Sequence, residues 1–328
     1  MARRAAQGAN AAVHVKLRRL AALLAATLLV GCASAPEVVA PPLAPPSPAL
    51  PEPPKIPPRI GLALGGGAAR GFAHVGVIQV LEEAGIRPDL VTGTSAGSLV
   101  AAIYAGGKTG AQMQKVADTM EEGTIADWTL PLFNRGVLRG EALAQYVNAQ
   151  VGSRTIEGLP MPLGVVATDL NSGVATLFQR GDTGTAVRAS SAVPGVFMPV
   201  KISGHEYVDG GLVSPVPVLA ARKMGAELVI AVDISSPPEG NLAGSTLEIL
   251  LQTFAIMAKS INSWELKDAD IVVRPQLQGV TSADFSARKR SIEAGRQAML
   301  QLLPQLRAAI AAKSHPAAMP GSSALAAP

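Results

Sequence analysis

The sequence has little sulfur or imidazole to work with. Its 328 residues include one cysteine, Cys32, which excludes an intramolecular disulfide framework and a Cys-rich zinc site. Only four histidines are present, which argues against a multi-His metal centre. Aromatic residues make up 3% of the chain, and after Cys32 no basic block is interleaved with them, so a nucleic-acid partner has no electrostatic motive. The formal charge of +4 is an end effect. Arg3, Arg4, Lys16, Arg18 and Arg19 all precede Cys32 and no acidic residue does, which leaves 23 of the 28 basic residues against 24 acidic ones. What is abundant is apolar: 48% of the chain is hydrophobic, enough to fill a sizeable core.

The N-terminal basic stretch leads into an apolar run from Leu20 to Val30. That is the shape of a secretory signal whose apolar region is too short to span a bilayer comfortably. The run ends in Leu29-Val30-Gly31-Cys32, which resembles the bacterial lipobox. The resemblance implies that the Cys32 sulfur receives a diacylglyceryl group, that the signal is cut before it, and that the new amino terminus is acylated. An ordinary signal with a chance cysteine is the alternative. Each buried methylene contributes about 0.8 kcal/mol, and a single chain holds only marginally, so several chains would anchor firmly. Ala33 stands after the cysteine where an acidic residue would signal otherwise, and by resemblance to Gram-negative lipoproteins this favours the outer membrane, facing the periplasm. Residues 33–58 hold eleven prolines and read as a linker. In polyproline II it would reach about 80 Å. The expected organisation is a signal over 1–31, the lipidated cysteine and linker over 32–58, one folded domain over 59–312 and a disordered tail over 313–328.

The 59–312 segment alternates short apolar runs with helical stretches, the pattern of a mostly parallel sheet flanked by helices, and shows no internal repeat. Strands are expected at Ile60–Leu64, Leu90–Val91, Leu163–Ala167, Ala175–Phe178, Leu228–Val232 and Ile271–Val273, with a β-like stretch at Glu206–Val208. Helices are expected at Phe72–Ala84, Ala96–Ala105, Ala111–Glu122, Glu141–Val151, Thr246–Ala258 and Ser286–Leu302, and one opened by Pro215.

Three motifs carry chemistry. Gly93-Thr94-Ser95-Ala96-Gly97 is a G-x-S-x-G between a strand and a helix, where small neighbours allow a turn tight enough to expose the Ser95 hydroxyl. In a chain with 33 glycines the bare pentapeptide also arises by chance, and its strand-turn-helix context is what gives it weight. The run Gly65-Gly66-Gly67-Ala68-Ala69-Arg70-Gly71 joins the first strand to the first helix, where backbone N–H groups and a helix N-terminus attract developing negative charge. The competing reading is a nucleotide phosphate loop. A P-loop needs a Gly-Lys-Ser/Thr ending that is missing, and a dinucleotide fingerprint wants glycine where Arg70 stands. Asp209-Gly210-Gly211 follows the Glu206–Val208 stretch and taken alone is an ordinary turn.

Chain order narrows the partner of Ser95, because the familiar triads each need a histidine in a fixed place relative to serine and acid. After Asp209 only His315 is left, in the tail. Before Ser95 the first aspartate is Asp89 and the last histidine His74, which defeats the subtilisin order and crowds the chymotrypsin order into 22 residues. A serine paired directly with an aspartate survives. The glycine loop, the GTSAGS elbow, the Ala189-Ser190-Ser191-Ala192-Val193-Pro194 segment and the Asp-Gly-Gly, in this order, resemble the patatin-like phospholipases, especially their bacterial members. The resemblance covers about Ile60 to Met224. It implies a three-layer α/β fold, Ser95 as nucleophile, Asp209 as its partner, and Gly65, Gly66, Gly67 and Ala68 as the oxyanion hole, with Arg70, Gly71, Gly93, Gly97, Gly210 and Gly211 as motif positions.

The implied reaction is attack of Ser95 on an acyl ester with Asp209 accepting the proton, then hydrolysis of the acyl-enzyme, on phospholipids, lysophospholipids or related lipids. No metal or organic cofactor is required. The expected partners are the lipid substrate and the membrane itself, through the Cys32 anchor. Rival functions are a non-catalytic lipid-binding scaffold of the same fold and a soluble phosphate-cradle enzyme. His74 and His205 read as ordinary helix and loop histidines whose loss leaves most activity. Arg70 is open between orienting the loop, meeting a phosphate and a plain salt bridge, and Arg188 shares that ambiguity. Leu247–Ala258, with Ile249, Leu250, Leu251, Phe254, Ile256 and Met257, is either core or the lining of an acyl pocket.

Overall fold

A computed structural model describes residues 55–121, 123, 127, 136–236, 244–281 and 283–316. The expected signal, Cys32 and all of the linker but its last residues lie outside the described residues. Eight strands build the central sheet: β1 (Ile60–Leu64), β2 (Leu90–Thr94), β3 (Leu163–Asp169), β4 (Ala175–Phe178), β5 (Val200–Ile202), β6 (His205–Asp209), β7 (Leu228–Val232) and β8 (Ile271–Val273). Their order is β8-β7-β1-β2-β3-β6-β5, with β4 paired to β3 off that path. From β8 to β3 all neighbours are parallel. The β3–β6, β6–β5 and β3–β4 pairs are antiparallel. The helices are α1 (Phe72–Glu83), α2 (Ala96–Ala105), α3 (Gly110–Thr119), α4 (Glu141–Val151), α5 (Thr183–Ser190), α6 (Val218–Lys223), α7 (Thr246–Glu265) and α8 (Arg288–Lys313). This is the mostly parallel, helix-flanked sheet that the patterning calls for.

Period-two alternation decides the two faces. Leu62, Leu64, Leu228, Ile230 and Val232 enter the larger core with Ile78 of α1, Ile103 of α2, Met113 of α3 and Met299 of α8. Ala63, Val229 and Ala231 turn to the other face, against Val218 and Ala221 of α6. Full burial of one such leucine or isoleucine contributes about 1.5–3 kcal/mol. On the thinner face the residues are small because the backbones approach closely: a Cβ on Gly61 would lie 2.6 Å from the Ala226 Cβ. The same device locks α8 onto α1, where Gly76 meets the Ile292 carbonyl and Gly295 meets the Ala73 carbonyl with no room for a side chain.

Helix ends depart from expectation where packing overrides local signals. The α7 helix runs seven residues beyond Ala258 because Asn262 and Glu265 are buried on its inner side. The α8 helix passes through Pro304, a residue that usually ends a helix, and delivers the fully buried Leu306 beyond it. It includes Lys313, and His315–Pro316 pairs with Lys55–Ile56, so ordered structure reaches past both expected domain boundaries.

Candidate active site

The turn between β2 and α2 has the shape a protruding hydroxyl requires. Ser95 sits at φ 54°, ψ −124°, a left-handed conformation that costs a non-glycine residue strain and persists only when its surroundings hold it. Three hydroxyls do the holding. The Ser190 Oγ accepts the Ser95 N–H at 2.9 Å and donates to the Val166 carbonyl at 2.6 Å, tying the elbow to β3. Ser98 donates to the Ser95 carbonyl at 2.6 Å, and Thr94 to the Ser214 carbonyl at 2.8 Å. Gly93 and Gly97 are where the turn closes. A Cβ on Gly93 would lie 2.5 Å from the Gly97 oxygen, and one on Gly97 would run into the Leu64 carbonyl and sit 2.6 Å from the Gly65 oxygen.

The glycine loop passes directly over the serine, since a Cβ on Gly66 would lie 3.2 Å from the Ser95 Cβ. Its four expected oxyanion donors divide into two pairs. The Gly65 amide already donates to the Val232 carbonyl and the Gly66 amide to the Pro215 carbonyl, both at 3.0 Å, so these two shape the loop rather than offer a proton. Among the described residues no partner occupies the amides of Gly67 and Ala68, and Ala68 is held at φ 48°.

Two side chains fix this loop from behind. Buried Arg70 donates to the carbonyls of Ile234 (2.7 Å), Ser235 (3.0 Å), Val280 (3.2 Å) and Leu277 (3.4 Å). Its donors are spent on the backbone, which removes the phosphate role. His74 is fully buried with Nε2 2.9 Å from the Gly65 carbonyl. A carbonyl only accepts, so Nε2 carries the proton. Burial lowers the His74 pKa to about 4, so the ring is neutral near pH 7 and serves as a tether. It is more than the ordinary helix histidine read from sequence, because it positions the loop over Ser95.

Asp209 comes from β6, two strands along the sheet from β2. Thr94 pairs with Val166 across β2 and β3, and Ala167 pairs with Asp209 across β3 and β6, so two registers bring residues far apart in sequence to the same end of these strands. The Asp209 Oδ1 accepts the Gly211 amide at 2.7 Å, which aims the carboxylate. Burial pushes its pKa from 3.8 up to about 6, while the Gly211 amide and the Ser95 hydroxyl pull it down. Oδ2 is buried without a partner of good hydrogen-bond geometry, so the contact with Ser95 is long or bent. Such contacts commonly tighten only when substrate is bound.

A patatin-like phospholipase family signature spans residues 62–222, which covers the loop, the elbow and the Asp-Gly-Gly together. Residues 62–222 thus match the patatin-like phospholipase family. It is 39% identical over 184 residues to an uncharacterized NTE family protein of Mycobacterium tuberculosis, covering 56% of this chain and 51% of that one. It is 33% identical over 231 residues to patatin-like phospholipase domain-containing protein 6 of Homo sapiens, covering 68% of this chain and 16% of that one. The chain thus spans about half or less of the length of these relatives. The crystal structure of VipD from Legionella pneumophila has the same fold, with a TM-score of 0.54 at 17% identity over 76% of this chain and 68% of that one.

Within the region that matches the patatin-like family, Ser95 stands where two cavities meet. One, of about 160 Å³, is almost wholly apolar and runs among Phe72, Leu99, Ile103, Met113, Met120 and Leu143. The other, of about 710 Å³, is wider, reaches Asp209, and carries Ser235, Glu248 and Gln252 among apolar groups. Ala68, Ser95 and Val193 line both. Nothing local in the sequence marks the narrow cavity, whose walls come from α1, α2, α3 and α4 as well as loops. The expected acyl-pocket stretch contributes only in part: Leu251 and Phe254 face the wide cleft, whereas Ile249, Ile256 and Met257 face solvent at 57%, 54% and 40% exposure. At 100° per residue only one face of α7 can reach the cleft. His205 pairs with Asp169 at 2.7 Å on the surface, and Arg188 donates to the Arg139 carbonyl at 3.1 Å, so neither joins the site.

Proposed function

We propose that this chain is a serine acyl hydrolase of lipids, with Ser95 as nucleophile and Asp209 as general base. The observation that carries the reading is the strained Ser95 hydroxyl at the mouth of an apolar cavity, beside a buried carboxylate of raised pKa. An unperturbed carboxylate is a weak base for a hydroxyl. Raising it to about 6 brings it closer to the working pH while leaving it ionised there. Asp209 takes the proton as the Ser95 oxygen attacks the ester carbonyl, and returns it to the departing alcohol. Water, deprotonated by the same carboxylate, then attacks the acyl carbonyl, and as the bond to the Ser95 oxygen breaks Asp209 returns the proton to that oxygen and the fatty acid leaves. The amides of Gly67 and Ala68 meet the oxyanion, each such donor being worth about 10² to 10³ in rate. The narrow cavity suits an acyl chain, and the wider cleft suits the polar remainder of a phospholipid, lysophospholipid or related ester.

Fluorophosphonate should label the full chain once, at Ser95, and Ser95→Ala should not be labelled. No labelling under conditions that mark a control serine hydrolase would leave the non-catalytic lipid-binding scaffold as the better account. We further propose that Cys32 is the lipid anchor that holds the enzyme at the outer membrane, facing the periplasm. Cys32→Ser should then accumulate as an uncleaved precursor, and normal processing of that variant would defeat the anchor.

A further inference from the structure

The α7 helix has two apolar sides and the fold uses only one. Its inner side, through Leu251, Phe254, Ala255 and Ala258, walls the cleft that reaches Ser95 and Asp209. A water-facing outer side should be polar, with charges opposite the buried stripe. Instead Ile249, Ile256, Met257 and Trp264 recur there at helical spacing, interleaved with the small hydroxyl residues Thr253, Ser260 and Ser263, with Trp264 70% exposed, and Leu219 of α6 is also exposed. No acidic residue stands between Glu248 and Glu265, and Glu265 is turned inward, accepting from Ser214 at 2.8 Å. At the helix end the Lys267 Nζ lies 4.0 Å from the centre of the Trp264 ring.

From these features we propose that the outer side of α7 docks on a phospholipid bilayer, with Trp264 and Lys267 at the headgroup level and Ile249, Ile256 and Met257 in the acyl boundary. Three observations select a bilayer over another occupant. The ridge is the back of the cleft wall, so its occupant lies at the entrance of a site read here as lipid-cleaving, and the proposal rests on that reading. An exposed indole next to an ammonium is the side-chain pair that settles at a membrane–water boundary, the ring in the interface and the charge in the headgroups. Along α7 itself the outer side also carries no carboxylate to be repelled by anionic headgroups, the exposed Asp268 beside Lys267 standing beyond the helix end. Among the described residues no helix is long and apolar enough to cross a bilayer, so α7 lies on the surface, and its inner side then opens the cleft toward the lipid.

The chain has two tryptophans, and Trp128→Phe makes Trp264 the sole indole of the full-length protein. With vesicles of phosphatidylcholine and phosphatidylglycerol, Trp264 emission should shift to the blue and be quenched at least twofold when the acyl chains are brominated. Ile256→Asp combined with Met257→Asp should abolish that quenching. The pair should also lower kcat/KM on vesicle-borne phospholipid by about tenfold or more, yet leave turnover of a water-soluble short-chain ester within about twofold, since neither side chain lines the cleft. Trp264 that stays open to iodide and blind to bromolipid would overturn the docking. Trp264 already shielded from iodide without vesicles would overturn it too, by showing that another part of the chain or a second copy covers the ridge. Bromolipid quenching with no turnover of either ester would sink the hydrolase reading and leave the docking in place.

Discussion

Asp209→Asn is expected to lower ester turnover by about 10³-fold or more and, at the same time, to make the protein more stable. The first effect follows from its placement. In the proposed mechanism the carboxylate takes the Ser95 proton, which an amide cannot. In the wild type kcat/KM should rise about tenfold per pH unit and level off above about 6, where the carboxyl is ionised. The second effect follows from the direction of the shift. A carboxyl at about 6 in the fold and 3.8 when unfolded contributes stability that is fully present below 3.8 and lost as pH rises through about 6. Above that pH the buried, ionised carboxylate costs on the order of 3 kcal/mol, which the neutral amide avoids. The variant should therefore melt higher at pH 8, by roughly 5 °C, with the advantage shrinking toward pH 4. His74 has the opposite sign: its pKa falls from 6.5 to about 4, so its contribution is present above 6.5 and lost as pH falls through about 4. The wild type balances the two between pH 4 and 6. Asp209→Asn leaves His74 unopposed and should lose stability on acidification more steeply. Thermal melts from pH 4 to 8 alongside pH–rate profiles test both halves, and a variant that melts lower than wild type at pH 8 would contradict the buried-carboxylate account.

Gly97→Ala should be among the most damaging single substitutions in the domain. The new methyl would collide with the Leu64 carbonyl and come within 2.6 Å of the Gly65 oxygen, and both obstacles are backbone. Flexible side chains yield to an intruder, but here β1 or α2 must move, and with either goes the elbow or the loop above it. A cost of at least about 4 kcal/mol is expected, beyond the usual range for overpacking because no rotamer change relieves it. Gly158→Ala is the matching control, since its Cβ would meet only the Thr155 Oγ1, at 3.4 Å, and it should change stability by less than about 0.5 kcal/mol. Soluble yield and denaturant melts of the two variants decide the matter. A Gly97→Ala protein as stable as the control would mean that the backbone packing at the elbow is looser than described.

Much of the fold is local information. Ile60–Leu64, Ala96–Ala105, Glu141–Val151 and Leu228–Val232 form where their apolar patterns put them, because a strand covered on both faces needs an unbroken apolar run and a helix an apolar face whatever their neighbours are. Helix ends were less legible, since Leu306 beyond Pro304 is buried by α8's packing and not by any local preference. The same division runs through the site. G-x-S-x-G between an apolar strand run and a helical run permits a sharp turn, so Ser95 could be singled out from one short stretch. Asp209 could be named only by eliminating histidines and by resemblance, because the register of β3 against β6 is what brings it to Ser95.

From sequence alone came the mostly parallel α/β class, the elbow, the glycine loop, and the exclusion of disulfides and Cys-rich zinc: each rests on residue type and spacing over a short stretch. Tertiary structure alone decided that Gly65 spends its amide on the neighbouring β7 and Gly66 on the Pro215 loop, that Arg70 and His74 are tethers, that Ser190 holds the elbow, and that α7 shows an apolar side to the outside. Except for the His74–Gly65 contact, nine residues apart, these contacts join groups 95 or more residues apart in the chain. Hydrogen-bond satisfaction and burial are settled only when every partner is in place, and no local pattern encodes them.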